Sequence, residues 1–295
     1  MSVALCTLAI NEMEWLPKLY EQHKDWPGLV KWVFVESADR VYAETNPGMA
    51  SPQGLSVDGT SEFLKELQEQ DQRVVYIPYG FSKHSNPAQG KCDSRSQYLY
   101  ALESVKPDLI WVLDADEFYR HQAQADISQL MGMYLPRGFT AFCFRYRSPW
   151  RPPAYTKFPL FTYEVLGGFW EIPLCRGWRW LPGMRYSKNH NTPETSSGVL
   201  LDARMYRFDK VYRPGYPECA HLSYASSLWA RRAKHRYYAA RGEGKVDFRG
   251  WYVESRAAWE VWDPEKTVLP HGAHVVPYAG PVPECFEPVD GVPYV

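Results

Sequence analysis

The chain has 295 residues, 45% hydrophobic and 23% charged, with a net charge of −1. That is the composition of a globular protein with material for a sizeable core, and a charge so near zero excludes a global electrostatic grip on nucleic acid or an anionic membrane. No run of about 18 apolar residues is present to span a bilayer, and Met1–Leu5 lacks the basic-then-apolar pattern of a secretory leader. Cys6, Cys92, Cys143, Cys175, Cys219 and Cys285 contain no C-x-x-C pair. Neither a zinc knuckle nor a disulfide framework is therefore expected, and reduced thiols in a cytoplasmic protein are.

In chain order, Val3 to Ile10 is an apolar run of strand length that ends at Asn11-Glu12, and helical spacing follows from Glu14 to Tyr20. Trp32 to Glu36 predicts a second strand. Residues 42 to 60, rich in Pro, Gly, Ser and Asn, predict a loop. Ser61 to Leu67 predicts an amphipathic helix, Arg73 to Pro78 a third strand, Gly80 to Gly90 a loop, and Ser94 to Val105 a helix. Leu109 to Leu113 is a fourth apolar run, and it empties into Asp114, Asp116 and Glu117. Strands alternating with helices predict a parallel α/β sheet, whose strand ends are where such folds bind ligands. Beyond it, Phe139 to Tyr146, Val199 to Phe208 and Lys210 to Arg213 predict further strands. Ser223 to Arg241 predicts the longest helix and Trp251 to Trp262 another. Residues 263 to 295, Pro-rich without periodicity, predict an extended tail wrapping the body.

The acidic stretch organises the rest. Three carboxylates within four residues repel one another unless a cation or a base is close. Hard divalent ions that also hold phosphates prefer such oxygen ligands. Acids on this strand end come fourth in an ordered set, after Asn11-Glu12, Glu36-Ser37-Ala38-Asp39 and the helix carrying Arg95.

That set resembles the nucleotide-sugar-binding half of GT-A-fold glycosyltransferases, especially those similar to glycosyltransferase family 2. Asp114-Ala115-Asp116-Glu117 matches a D-x-D-E motif, and Arg95 the arginine of an A-R-N-type helix start. Glu36 stands where the commoner D-S-x-S-x-D has aspartate, and Ser94-Arg95-Ser96 where Ala-Arg-Asn is frequent. The resemblance covers residues 3 to 120 and thins beyond, to Pro182–Tyr186 with His190 and to Ala220–Tyr224. It implies a GT-A-like α/β fold with a mostly parallel central sheet flanked by helices, a smaller antiparallel acceptor-side portion and the extended tail. Residues 1–120 would be the nucleotide-sugar half, 121–262 the acceptor side with the long helix, and 263–295 the tail. The activity implied is hexosyl or pentosyl transfer from a UDP- or GDP-linked sugar to an acceptor hydroxyl, with a divalent cation.

Roles follow for each residue. Backbone groups of Ala9 and Asn11, beside Glu12, would edge a uracil or guanine ring. Glu36, an acceptor only when ionised, and Asp39 would take base or ribose hydrogen bonds. Lys91 would meet the diphosphate, and Arg95 the diphosphate or the base carbonyls. Asp114 and Ala115 would lie beside the ribose or a metal-bound water. Asp116 would ligate the metal with His221, and an imidazole ligand favours Mn²⁺ over Mg²⁺. His190 would face a sugar. For a catalytic base, Glu171 stands ahead of Glu194 and Asp202 because Gly167-Gly168 and aromatic neighbours resemble an acceptor cleft. Arg231, Arg232, Lys234 and Arg236 form a local basic patch suited either to solvent or to a phosphate-rich acceptor, a nucleic acid or glycolipid.

Two other functions fit the same sheet. A nucleotidyltransferase would use a glycine-rich first loop, and Ala9-Ile10-Asn11-Glu12 has no glycine. A non-catalytic nucleotide- or sugar-binding protein would have little need of the acidic motif and His221.

Overall fold

The computed structural model describes residues 1–147, 149–150, 163–166, 175–207, 217–222, 230, 233–234, 236–237, 274–278, 280 and 282–286. The first part of the chain builds β1 (Val3–Ala9), α1 (Leu16–His23), β2 (Leu29–Glu36), α2 (Arg40–Thr45), α3 (Thr60–Gln70), β3 (Val74–Pro78), α4 (Pro87–Leu102) and β4 (Leu109–Val112). Then come β5 (Glu117–Tyr119), α5 (His121–Tyr134), β6 (Ala141–Cys143), β7 (Arg145–Arg147), β8 (Pro149–Trp150) and β9 (Tyr163–Leu166). The last described strands are β10 (Cys175–Arg179), β11 (Met205–Arg207), β12 (Glu218–His221) and β13 (His274–Pro277).

Seven strands form the central sheet in the order β11-β6-β10-β4-β1-β2-β3. Parallel pairing joins β4, β1, β2 and β3, while β10 runs against both its neighbours. The expected mostly parallel α/β architecture is observed. Because β1 lies in mid-sheet, both of its faces are covered, which is why its sequence is an unbroken apolar run. Alternation of period two divides that run between two cores. Val3, Leu5, Trp32, Phe34, Leu109 and Trp111 meet α1, α3 and α5 on one face. Ala4, Cys6, Val33, Val35, Ile110 and Val112 meet Tyr98, Leu99 and Leu102 of α4 on the other.

A second sheet, β5-β12-β7, sits at the carboxyl end of β4, and a third, β13-β9-β8, is antiparallel. In the described part of the tail, Glu284 accepts from the Gln22 amide at 2.7 Å, and Phe286 packs edge-on against Trp15 and Phe118.

Several expectations are corrected. The loop expected over 42 to 60 begins as α2, capped by Asp39, whose Oδ1 accepts from the Tyr42 amide at 2.8 Å. The helix expected from Ser94 starts at Pro87, because Asn86 caps the Ala88 and Gln89 amides. Glu117 does not end β4 but opens β5, and α5 follows at His121–Tyr134, where no helix was expected. Residues 201 to 204 form a 3-10 turn before β11 rather than one continuous strand. Cys143 and Cys175, directly opposite in the β6–β10 register, form a disulfide, so the expectation of reduced thiols fails for this pair. Their separation of 32 residues hides a cross-strand neighbour relation that only the strand order reveals. The strand expected at Lys210–Arg213, the helix expected at Trp251–Trp262 and most of the helix expected at Ser223–Arg241 lie outside the described residues. Among the described residues no helix is long and apolar enough to cross a membrane.

Candidate active site

A cavity of about 430 Å³ opens over the carboxyl ends of β1, β2 and β4. Strand ends supply Asn11, Glu12, Asp39, Asp114, Ala115 and Asp116 to its wall, and α4 supplies Lys91 and Arg95. Arg176 of β10, His190 and Asn191 of a loop, His221 at the end of β12 and Lys234 add to the polar lining. The topology brings together ten residues singled out in the sequence: Asn11, Glu12, Asp39, Lys91, Arg95, Asp114, Ala115, Asp116, His190 and His221.

Two do not reach the cavity. Glu36 is fully buried, and its oxygens accept from the Ser56 amide (2.5 Å), the Ser61 hydroxyl (2.8 and 2.9 Å) and the Tyr76 hydroxyl. This carboxylate ties the loop after α2 to the sheet. Ala9 is buried as well, and its carbonyl accepts from the Ser37 amide. Glu171 lies outside the described residues. Of the other two base candidates, Glu194 is buried against Arg185 (2.9 Å) and Ser187 (2.6 Å), and neither it nor Asp202 lines the cavity.

Asn11 adopts a left-handed φ of 54°, which asparagine tolerates better than most residues. Its side chain is spent on the neighbouring loop: Nδ2 donates to the Met49 carbonyl (2.6 Å) and the Tyr42 hydroxyl, and Oδ1 accepts from the Val57 amide. The residue shapes the cavity edge rather than presenting its amide to a ligand.

The acids beyond β4 fall into two groups. Asp114 and Glu117 are clamped by Arg176, a residue that sequence reading missed. The Arg176 guanidinium meets Asp114 Oδ2 at 2.5 Å and Glu117 Oε1, and its Nε donates to the Tyr146 hydroxyl at 2.6 Å. Arg95 reaches the other Asp114 oxygen at 3.4 Å and donates to the His190 carbonyl at 2.5 Å. Burial would raise the Asp114 pKa, but Arg176 and Arg95 outweigh it and hold the carboxyl below its ordinary range. Burial pushes Glu117 up to about 7 against the pull of Arg176. The β10–β6 register shifts between Cys175 and Gly177, an irregularity of the kind that re-aims a side chain, and Arg176 sits at it. Gly177 is required next to it, since a Cβ there would lie 2.8 Å from the Trp111 ring. No period or motif in Cys175-Arg176-Gly177-Trp178 announces this.

Asp116 belongs to the cavity. His221 Nε2 stands 3.5 Å from its Oδ1, and Lys234 Nζ stands 3.6 Å from its Oδ2. The antiparallel register that pairs His221 with Glu117, and the hydrogen bond from the Leu222 amide to the Asp116 carbonyl (2.7 Å), place the imidazole there. Burial would lower the His221 pKa, but Asp116 outweighs it and raises it. The Glu12 carboxyl is pushed well above its ordinary range, first by burial and then by the charge of Asp116.

Sequence reading placed Lys234 and Arg236 in a local basic patch facing either solvent or a phosphate-rich acceptor. Lys234 instead faces Asp116, and Arg236, although exposed, donates to Asn46 Oδ1 at 2.7 Å. Arg231 and Arg232 lie outside the described residues.

A divalent ion fits here in one way. Among the described residues no group of three His, Cys, Asp or Glu side chains is placed to hold a metal. Asp116 and His221 offer one oxygen and one nitrogen, whereas the oxygens of Asp114 are engaged by guanidinium groups. The set suits a cation shared with a phosphate-bearing ligand rather than one held by protein alone.

No protein-family model matches the sequence, and no curated protein does. Some solved structures are similar. S. aureus TarS 1-349 matches with a TM-score of 0.38 and 9% identity, covering 88% of this chain and 70% of that one. The same TarS piece in complex with UDP-GlcNAc gives 0.37 and 10%, covering 88% and 73%. The mannosyltransferase PcManGT from Pyrobaculum calidifontis, in complex with GDP-Man and Mn²⁺, gives 0.39 and 13%, covering 89% and 71%. In a further S. aureus TarS structure the match spans 22% of that chain and 51% of this one, with a TM-score of 0.32 and 11% identity. At such low TM-scores the likeness transfers no residue roles.

Proposed function

We propose that the chain is a glycosyltransferase with a GT-A-like fold, moving a sugar from a nucleoside-diphosphate donor to an acceptor hydroxyl. The observation that supports this best is one cavity at the parallel strand ends that holds Asp116 with His221 on one rim and Lys91, Arg95 and Lys234 around it. A wall with carboxylates and cations in that proximity suits a ligand that is itself a diphosphate with a bound divalent ion.

Asp116 and His221 hold the cation, for which the mixed oxygen and nitrogen donors favour Mn²⁺. When bound, it supplies Lewis-acid stabilisation of the charge that develops on the departing diphosphate. The chain's own residues do the rest. Asp39, the cap of α2 three residues beyond β2, and the backbone at Asn11 and Glu12 border the nucleoside end. Arg176 and Arg95 keep Asp114 ionised and fixed, so the turn that carries Asp116 does not have to reorganise as charge develops. Lys91 meets the phosphates and His190 the sugar. Residues 1–120 form the donor half.

The test is direct. Purified protein incubated with Mn²⁺ and UDP- or GDP-linked sugars should release free nucleoside diphosphate slowly by hydrolysis, and faster with a suitable acceptor. Release of pyrophosphate from a nucleoside triphosphate and a sugar phosphate would instead show a nucleotidyltransferase. Binding without any turnover across a broad acceptor panel would favour a non-catalytic binding protein.

A further inference from the structure

The helical residues Ala233, Lys234, Arg236 and Tyr237 are seated against α2 and α4. Asn46, buried at the end of α2, donates to the Ala233 carbonyl at 3.2 Å and accepts from Arg236 Nε at 2.7 Å. Tyr237, also buried, packs edge-on against Tyr42, and Lys91 lies over its ring. One asparagine thus grips this turn at two points, and the turn delivers Lys234 to the cavity wall. Its Nζ comes to 3.6 Å from Asp116 Oδ2, opposite the oxygen that faces His221.

We propose that Lys234 is a built-in counter-cation of the donor site. It neutralises Asp116 while the divalent ion is absent, then yields that oxygen to the ion and turns its ammonium to the incoming diphosphate. The inference rests on the proposed function and deepens it.

Three features carry it. An ammonium with three donors on a flexible four-carbon stem can exchange partners over a few ångströms, which a planar guanidinium held in a fork cannot do as readily. The Lys234 side chain keeps 42% of its surface exposed, whereas Arg176 is clamped and 5% exposed. Asp114 has its cations in two guanidinium groups, Arg176 and Arg95, whereas the cation beside Asp116 is a lysine ammonium. Exchange of one cation for another at a single carboxylate also means that the ion and Lys234 compete until a diphosphate arrives to receive the lysine.

The full chain carrying Lys234→Met, with Lys234→Arg as the charge-keeping control, decides it. Mn²⁺ binding without nucleotide, read by electron paramagnetic resonance, should tighten about 3- to 10-fold in Lys234→Met, because a competing cation is gone. At saturating Mn²⁺, UDP or GDP should bind about 10-fold more weakly to Lys234→Met, while uridine or guanosine should bind as to wild type. Lys234→Arg should keep most of the diphosphate affinity. Unchanged Mn²⁺ affinity together with unchanged UDP and GDP affinity would overturn the proposal. A wild type that takes up Mn²⁺ but neither UDP nor GDP would refute the proposed function instead. The Mn²⁺ titration of Lys234→Met would then decide the counter-cation role alone, with no tightening counting against it.

Discussion

Glu36 and Asp116 are both carboxylates delivered at the carboxyl ends of parallel strands, β2 and β4, that flank β1, and the structure treats them in opposite ways. Glu36 is fully buried with its oxygens taken by Ser56, Ser61 and Tyr76. Asp116 faces the cavity, with His221 and Lys234 beside its side-chain oxygens at 3.5 and 3.6 Å. A strand-end acid is thus a ligand candidate when the neighbouring loop leaves it to the cavity, and a structural tie when the loop folds over it. Both acids look alike in a sequence.

The largest expected effect lies on the structural side. Glu36→Ala leaves the Ser56 amide and two hydroxyls without their acceptor, at about 1–3 kcal/mol each. Urea denaturation should show a loss of about 3–5 kcal/mol, and a loss below about 1 kcal/mol would break the contrast. Arg176→Met should come next, at about 3 kcal/mol, because Asp114 and Glu117 would be left beside each other without their shared guanidinium. Here the same titration should show Arg176→Lys recovering part of the loss; full stability in Arg176→Met would mean the clamp is idle.

His23 makes a third, pH-dependent case. Its Nε2 accepts from the Tyr119 amide at 3.1 Å, so Nδ1 carries the proton and donates to the Leu19 carbonyl at 2.9 Å. Burial lowers its pKa to about 3, so the fold keeps the ring neutral. The unfolded chain therefore binds one more proton between about pH 3 and pH 6.5, and stability falls as pH drops through that window, by about 1.4 kcal/mol per pH unit, and is flat above it. Comparing wild type with His23→Gln by thermal melts from pH 4 to 8 isolates this slope; equal slopes would show that the ring titrates freely. The smallest stability effect should be that of Asp116→Asn, within about 1 kcal/mol of wild type, since this acid serves the cavity rather than the fold.

Much of this fold could be read from residues alone. The apolar runs at Val3, Trp32, Val74 and Leu109 and the helices between them announce a parallel sheet because burial on both faces leaves an unbroken apolar signature. The place of Asp116 and His221 at the cavity was legible because each stands at a strand end, whereas Arg95, expected at a helix start, lies in the middle of α4. Arg176 was not, because its place depends on β10 inserting beside β4 from more than 60 residues away, a fact of strand order with no local trace. Lys234 looked like part of a solvated helix face, since helical spacing says nothing about which turn meets the cavity. Glu36 misled for the converse reason, its fate being decided by a loop about 20 residues later. The disulfide between Cys143 and Cys175 belongs with Arg176, hidden until β6 and β10 are neighbours.

The most direct measurement is calorimetric titration of UDP and of GDP into wild type and Asp116→Asn, with and without Mn²⁺, at equal folded fraction. We expect at least one nucleotide to bind wild type about 100-fold more tightly with Mn²⁺ than without, and Asp116→Asn to lose that gain while remaining folded. Nucleotide binding by Asp116→Asn with an undiminished Mn²⁺ dependence would contradict the assignment of this cavity.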